Sequence, residues 1–391
     1  MKVDKSKWAE TAFAEIATSQ LGKTLDANKN KGLPYPYLCA ANIGMGYFNL
    51  SNVKEILLDD SELEKYLVRK GDLLICEGGD TGRCAIWESE DPIYYQNALH
   101  RVRFNDDIHN KFIMYYLHYY KKVGIIDKLS HGQTIKHFTQ KGLSKLSFRI
   151  PTVPEQKGIA SELDAIQAMI DGYNAQLHDL DELIKSIFND TFGEPISNPK
   201  GWDVDILENI VSDDCPITYG IVQPGDDVNE GIPVVRPVDL IGTYVNKTFL
   251  KKVSPEISDS YKRTILKGNE ILICVRGTTG VVSFATEDMK GCNVTRGIVP
   301  LSFIRHNKWF MYWCIKSYEM NNLIQKYTKG ATLKQINIKD LRQLPFPTPP
   351  LELQETFGKQ AELIETQRAL LNQQISDTRN LMAERMQYYF S

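Results

Sequence analysis

The sequence repeats itself once, with a period of about half its length. Eight motifs recur in the same order, at separations of 194 to 199 residues: Trp8 with Trp202, Gly32 with Gly231, Lys70 with Lys267, Thr81 with Thr279, Asn97 with Asn293, Asn110 with Asn307, Gly132 with Gly330, and Gln156 with Gln354. One such match arises by chance, but eight in one order do not. A single repeat of this length predicts two copies of a domain-sized unit, not a solenoid of short repeats.

Each copy divides into a mixed part and a long helical part. Short apolar runs separated by glycine turns predict strands, and proline-rich segments mark the boundaries that follow. The fold class is therefore predicted to be α+β, with two duplicated mixed α/β units and two long helices. The predicted boundaries are a first unit over 1–150, a first helix over 151–192, a second unit over 193–348, and a second helix over 349–391.

The long helices carry a heptad pattern. Apolar residues alternate at spacings of four and three in the first helix, which predicts a coiled coil. The second helix keeps the pattern less regularly, with Arg368 and Thr378 at apolar positions. The predicted seam comprises Ile159, Leu163, Ile166, Ile170, Tyr173, Leu177, Leu180, Ile184, Ile187, Phe357, Ile364, Leu371, Ile375 and Met382.

Neither helix buries its apolar stripe alone in water. The simplest solution is antiparallel pairing of the two helices, which would separate the two units and give a pseudo-two-fold molecule. The alternative is that each helix packs separately on its own unit.

Charge is distributed in the same way in both copies. The whole chain has a net charge of −3, but residues 100–149 hold ten Lys and Arg against three acids, and residues 296–345 hold nine against two. The first helical segment, 151–194, has a net charge of −7. Two basic sectors at equivalent positions favour binding to duplex DNA. The alternative is that these residues form ordinary solvated faces.

Several classes of site are missing from the sequence. It contains no GxxxxGK[ST] phosphate loop, no GxGxxG, no HExxH and no GxSxG motif. Its seven cysteines form no CxxC pair, which argues against a zinc site of the usual spacing and for reduced thiols in the cytoplasm. No apolar leader or run of ~18 apolar residues predicts secretion or a membrane span. We expect a cytoplasmic chain that is not itself an enzyme.

The ordered motifs identify a known family. The Lys-Gly pairs before LLIC and ILIC strands, the Gly-x-Thr-Ile/Leu-Lys turns, and the PPLELQ segment at Pro349–Gln354 resemble the specificity subunit of type I restriction-modification systems. This resemblance implies that each mixed unit is a target recognition domain that reads half of a bipartite, asymmetric site in double-stranded DNA. The paired helices would act as a ruler between the half-sites.

The resemblance also implies the partners. Two modification (methyltransferase) subunits would bind the helices, and restriction subunits would join the same assembly. S-adenosylmethionine, ATP and Mg²⁺ are expected in those partners, so this chain is predicted to carry no cofactor, metal site or catalytic residue.

The DNA-binding candidates lie on or beside predicted turns of the basic sectors. They are Arg83, Arg101, Gln133, Thr134, Lys136 and His137 in the first copy, and Arg236, Arg276, Arg296, Thr332, Lys334 and Gln335 in the second. The identical pairs Lys136/Lys334 and Thr134/Thr332 are expected to contact phosphate, because equal residues do not read different sequences. Residues that differ between the copies are expected to read bases, with Arg or Lys suited to guanine and Asn or Gln to adenine.

Two other functions stay open at this stage. A stand-alone DNA methyltransferase would bind S-adenosylmethionine by itself, although the sequence shows no cofactor loop. A coiled-coil interaction scaffold would join proteins without touching DNA. Salt-dependent DNA affinity distinguishes the scaffold from a DNA reader, since phosphate contacts weaken steeply as salt rises.

Overall fold

The chain forms two compact units, each of which contains half of each long helix. The computed structural model describes residues 3–26, 30–132, 136–330 and 333–391. Unit 1 comprises Met1–Asn174 with Gln373–Ser391, and unit 2 comprises Ala175–Asn372. The compact units therefore differ from the linear domains predicted from the sequence, because the end of the chain belongs to the same unit as its beginning.

Unit 1 mixes short strands and helices. Its elements are β1 (Ala9–Ala12), α1 (Phe13–Ile16), β2 (Ala17–Leu21), β3 (Leu33–Leu38), β4 (Lys54–Leu58), α2 (Asp60–Leu63), β5 (Leu67–Val68), β6 (Leu73–Cys76), β7 (Cys84–Ile86), β8 (Ile93–Tyr95), β9 (Leu99–Phe104), α3 (Asn110–Lys122), α4 (Ile125–Leu129), α5 (Gln140–Leu143), β10 (Ser147–Ile150) and the start of α6 (Val153–Phe192). One sheet has the strand order β2-β9-β6-β7, another the order β4-β3-β8-β5, and β1 pairs with β10.

Unit 2 repeats this plan. Its elements are the end of α6, β11 (Val204–Ile206), α7 (Leu207–Ile210), β12 (Ile232–Val235), β13 (Lys251–Val253), α8 (Pro255–Asp259), β14 (Ile271–Cys274), β15 (Val282–Phe284), β16 (Asn293–Val294), β17 (Ile298–Leu301), α9 (Lys308–Lys316), α10 (Tyr318–Tyr327), α11 (Ile338–Arg342), β18 (Pro345–Pro347) and the start of α12 (Leu351–Phe390). The sheet orders are β15-β14-β17 and β13-β12-β16, and β11 pairs with β18.

The central strands explain why the LLIC and ILIC runs recur. All four residues of β6 and of β14 are buried, because each strand has a neighbour on both sides and packs on both faces. Leu73 and Ile75 face the core under α3, while Leu74 and Cys76 belong to a second cluster on the other face. The alternation of strand side chains thus builds two apolar layers from one short strand.

The sheet register corrects one of the repeat matches. Cys76 lies opposite Leu99 in unit 1, and Cys274 lies opposite Ile298 in unit 2. Counting back from these pairs, Asn97 is equivalent to Arg296 and not to Asn293. The sequence match of the two asparagines was wrong by three residues, because the intervening segments differ in length.

The long helices pack against each other in antiparallel fashion. In unit 1, Glu162 near the start of α6 accepts hydrogen bonds from Arg385 and Tyr389 near the end of α12, at 2.7 and 2.8 Å. In unit 2, Phe192 at the end of α6 lies against Phe357 near the start of α12, with ring centroids 5.5 Å apart. The predicted pairing is confirmed, and separate packing of each helix on its own unit is excluded.

Arg368 and Thr378, the two polar residues at apolar positions of the second helix, have different surroundings. Arg368 forms an ion pair with Asp181 of α6 within unit 2. Thr378 is only 7% exposed. The seam is otherwise buried most completely where it meets a unit's core, as at Ile159 and Ile184, whereas Tyr173 and Leu177 are partly exposed.

A buried glutamine anchors the start of each helix. Gln156 donates to the carbonyl of Pro151 and accepts from the backbone N–H of His109. Gln354 donates to the carbonyl of Pro349 in the same way. Each amide therefore ties the helix entry to the loop before α3 or α9, which explains why the glutamine recurs in both copies.

Candidate nucleic-acid interface

Four loops meet at one edge of each unit, which we call the recognition edge. In unit 1 it comprises 38–43, 76–83, 96–98, 131–132 and 136–138, and in unit 2 it comprises 235–240, 274–281, 295–297, 329–330 and 333–336. Residues 133–135 and 331–332 of these loops lie outside the described residues, and with them the candidates Gln133, Thr134 and Thr332.

Backbone hydrogen bonds hold together the loops of the recognition edge of unit 1, called edge 1 below; that of unit 2 is edge 2. The N–H of Glu77 donates to the carbonyl of Ala98 at 2.9 Å, and the N–H of Phe138 donates to the backbone carbonyl of Glu77 at 2.7 Å. The N–H of Gln96 donates to the carbonyl of Leu38 at 3.1 Å. The edge is therefore a fixed surface in its described part, although it consists of loops.

Edge 2 contains the same bonds between equivalent residues. The N–H of Val275 donates to the carbonyl of Gly297 at 2.8 Å, and the N–H of Ile336 donates to the carbonyl of Val275 at 3.0 Å. The N–H of Thr295 donates to Val235 at 2.9 Å. This shared framework allows the two edges to be compared residue by residue.

The comparison separates shared from divergent positions. Lys136 and Lys334 are equivalent, identical and exposed. At the other positions the side chains differ: Cys39 and Arg236, Gly78 and Arg276, Arg83 and Val281, Asn97 and Arg296, and His137 and Gln335. Each edge thus combines a constant exposed cation with neighbours whose hydrogen-bonding groups are different.

Two candidates of unit 1 have internal roles. Arg83 donates to the carbonyls of Ile43 and Ala40 at 2.6 and 3.1 Å, which clamps the loop after β3. Arg101 is 7% exposed, donates to the carbonyls of Lys65 and Leu67, and has its pKa lowered by burial. Both guanidinium groups are therefore occupied by bonds within unit 1, which sequence analysis did not predict.

Arg236 is also largely engaged. Its guanidinium forms a two-pronged ion pair with Asp239, with contacts of 3.0 and 2.8 Å, and its backbone N–H donates to the same carboxylate. This geometry holds the loop after β12. Arg236 therefore stabilises edge 2 in the way that the Cys39 and Asn42 pair stabilises edge 1.

The remaining candidates of unit 2 form a cluster. Arg276 and Arg296 line one cleft of about 290 Å³, together with Leu333. The guanidinium of Arg296 lies 5.8 Å from the ring centroid of Tyr219, and the amide of Gln335 donates to the Tyr219 hydroxyl at 3.0 Å. The structure thus brings Arg296 and Gln335 together at one tyrosine, with Arg276 beside Arg296 on the same cleft.

In unit 1 the equivalent place is less basic. Lys136 and His137 are exposed, and His137 makes a paired backbone bridge with His131, with bonds of 2.7 and 2.9 Å. Gly78 and Asn97 stand where unit 2 has arginines. Sequence reasoning missed Asn97 on edge 1 and Tyr219 beside edge 2, because their positions depend on pairing between distant segments.

Much of the basic excess in the sequence lies away from the edges. Arg103 pairs with the buried Asp72 at 2.7 Å, and Lys111 pairs with Asp164 of the acidic helix α6 at 3.2 Å. These ion pairs connect strands and helices inside unit 1. The regional charge count therefore overstated the number of cations available to DNA.

One cleft of unit 1 lies away from the recognition edge. It has a volume of about 780 Å³ and is lined by Trp87, Tyr115, Asp164 and Asp171, among other residues. Burial lowers the pKa of His118 at this cleft to about 4, so its imidazole is neutral at neutral pH. The acidic rim makes the cleft a poor site for DNA phosphates.

No helix of the described chain is both long enough and apolar enough to cross a membrane. Among residues 3–26, 30–132, 136–330 and 333–391, no group of three or more His, Cys, Asp or Glu side chains is arranged to hold a metal ion.

Sequence comparison assigns the chain to a family. Residues 5–180 and 219–377 match the family described as "Type I restriction modification DNA specificity domain", which covers both copies of the repeat. The chain belongs to the type I restriction-modification specificity family. Specificity subunits are the DNA-recognition components of these systems, are not enzymes and carry no cofactor of their own.

Individual relatives agree with this assignment. The chain is 27% identical over 325 residues to the EcoBI specificity subunit of Escherichia coli, covering 76% of this chain and 68% of the relative. Its fold is similar to that of the S subunit from M. genitalium, with a TM-score of 0.59, 15% identity and coverage of 100% and 98%. A second structure, titled for complex assembly and conformational transition of the type I R-M system, gives a TM-score of 0.60, 16% identity and coverage of 98% and 97%.

For this specificity subunit, the predicted family, the α+β fold and the non-catalytic role are confirmed. The stand-alone methyltransferase and the scaffold that never touches DNA are not supported, because both conflict with the family's function.

Proposed function

We propose that each recognition edge reads one half of a bipartite, asymmetric site in double-stranded DNA. The observation that carries this proposal is the pairing of constant and divergent positions on one backbone framework. Lys136 and Lys334 supply the same exposed ammonium group at the same place, as a phosphate contact requires. Their neighbours differ, as two different half-sites require.

The antiparallel helices α6 and α12 are proposed to set the gap between the half-sites. Each of the two helices is continuous over 40 residues, which is about 60 Å at ~1.5 Å per residue. A paired rod resists bending better than a single helix, so it is suited to fixing a distance. A fixed distance between two readers imposes a fixed spacing on the DNA, as it does in dimeric DNA-binding proteins.

The same helices are proposed to bind two modification subunits, which would bring S-adenosylmethionine, while restriction subunits that use ATP and Mg²⁺ join the assembly. The helices offer exposed apolar residues for such contacts, including Leu183, Leu363 and Leu370. The acidic character of α6 adds a charged face beside them. The subunit itself would supply sequence choice and geometry.

The experiment is to modify a DNA library with the full chain and its cognate modification subunit, and then to map methylated adenines by single-molecule sequencing. We expect two different half-sites separated by one constant gap. A palindromic site, or two half-sites at variable distance, would contradict the proposal. The chain alone and the modification subunit alone are the controls, and neither is expected to give sequence-specific methylation.

A further inference from the structure

The recognition edge of unit 2 contains a cleft lined by Arg276 and Arg296, and unit 1 has Gly78 and Asn97 at the equivalent positions. We infer that Arg276 and Arg296 read guanine bases in the half-site bound by unit 2, with Tyr219 as the residue that positions Arg296. This inference rests on the proposed function, because it concerns the same surface and the same DNA.

The first argument is the placement of the two arginines. Both side chains are half-buried and line one cleft of about 290 Å³, whose walls include Pro237, Gly297 and Leu333. Lys334 lies beside them and is exposed. A long exposed lysine at a rim suits a phosphate, whereas a guanidinium held between apolar walls is restricted in direction.

The second argument is preorganisation. The backbone N–H of Arg296 donates to the carbonyl of Ile221 at 2.8 Å, which fixes the start of the side chain. Its guanidinium lies 5.8 Å from the centroid of the Tyr219 ring, within the range of a cation–π contact. The Tyr219 hydroxyl accepts a hydrogen bond from Gln335, whose backbone is paired with Lys329 in both directions at 2.8 Å. The arginine is therefore supported by a tyrosine that is itself held in place.

The third argument is the contrast with arginines that have structural roles. Arg236 on the same edge is paired with Asp239, and Arg342 of the same unit donates to the carbonyl of Ile217. Among the described residues of unit 2, no hydrogen bond or ion pair joins the guanidinium of Arg276 or Arg296 to a protein acceptor. The N–H groups of these two guanidinium groups are therefore available to a ligand that enters the cleft.

The fourth argument is chemical. A guanidinium group presents parallel N–H donors that match the O6 and N7 acceptors of guanine in the major groove, and this pair is the commonest specific base contact. Phosphate is the competing acceptor for a guanidinium. The equivalent positions in unit 1 are Gly78 and Asn97, which offer no cation, although the backbone hydrogen bonds that join the loops are equivalent in the two edges. A residue that contacts phosphate has no reason to differ between the two units, because both half-sites contain phosphates. A residue that reads a base is expected to differ where the two half-sites have different bases.

The test uses the full chain with its cognate modification subunit and a library with randomised half-sites. We expect the wild-type complex to require guanine at one or more positions of one half-site. The variant Arg276→Lys keeps the charge but removes the forked donors, so it should reduce discrimination at one guanine position by about 5- to 150-fold, while the other half-site stays strict. Arg296→Lys should do the same at another position.

The positioning role of Tyr219 needs a separate readout. Tyr219→Leu removes the ring under Arg296, so it should relax the position that Arg296→Lys relaxes and leave the Arg276 position unchanged. A merely structural role for Tyr219 predicts equal loss at all positions. Lys334→Ala serves as the matched control, because it should weaken methylation equally for all sequences.

Three results would overturn the inference. They are the absence of guanine from both half-sites of the wild type, normal base discrimination in the two Lys variants, and uniform loss at every site accompanied by a flatter salt dependence. Failure of the proposed function would look different, since the wild-type complex would then methylate no bipartite site at all. Circular dichroism and thermal unfolding of each variant distinguish loss of fold from loss of base reading.

Discussion

The end of the chain completes the core of unit 1, and this can be tested at one side chain. Phe390 is 3% exposed, and its ring centroid lies 4.5 Å from that of Tyr116 and 5.6 Å from that of Phe112. Phe390→Ala removes a buried ring from this cluster. Core Phe→Ala changes cost about 3–5 kcal/mol in free energy of unfolding, which corresponds to a rise of roughly 150- to 5,000-fold in the opening equilibrium.

The duplication supplies a matched control. Phe192 occupies the corresponding end of α6, is 1% exposed, and packs on Phe310 with ring centroids 4.7 Å apart in unit 2. Phe192→Ala should therefore destabilise unit 2 by a similar amount. The pair of variants separates a unit-specific effect from a general loss of stability.

Hydrogen exchange read by mass spectrometry is the suitable assay, because exchange of protected amides follows local and subglobal opening. In the Phe390→Ala variant, amides of α3 should exchange faster by the factor given above, while those of α9 change little. In Phe192→Ala the pattern should be reversed. Unchanged exchange in α3, or equal acceleration in α3 and α9, would refute the conclusion that the terminal residues of α12 stabilise unit 1.

Three further predictions concern charge, length and pH. Lys136→Ala or Lys334→Ala should weaken DNA binding by the modification complex about equally for all sequences. Either change should also flatten the slope of log K against log salt by about one unit. A change in base preference would assign the lysine to base reading instead. Inserting one heptad at the middle of both α6 and α12 should lengthen the permitted gap between half-sites by up to about 10 Å, or about three base pairs, as mapped by methylation sequencing; an unchanged gap would remove the helices from the ruler role. Burial holds the pKa of His118 near 4, so between pH 6.5 and 4 the unfolded chain binds the proton and the folded chain does not. The contribution of His118 to stability should therefore fall by about 2 kcal/mol between pH 7 and pH 5, and urea unfolding should show a fall that is smaller by about this amount in His118→Gln.

The general plan of the molecule can be read from its amino-acid sequence. The duplication follows from the order of motifs, and the pairing of the helices follows from the heptad spacing, because an apolar stripe must be covered in water. The buried LLIC and ILIC strands and the glutamines at the helix starts are local patterns that recur for structural reasons. Family membership follows from the same ordered motifs.

The sequence does not show which candidate residues are bonded inside the protein and which line a cleft, and this depends on the folded structure. Arg83 and Arg101 carry the same charge as Arg276 and Arg296, yet the first two donate to internal carbonyls and the latter two line a cleft. The equivalence of Asn97 with Arg296 depended on strand register, which is set by pairing between distant segments. The assignment of the end of α12 to unit 1 likewise depends on contacts between residues more than 200 positions apart. Local sequence patterns do not contain these contacts, because they arise only when the chain is folded.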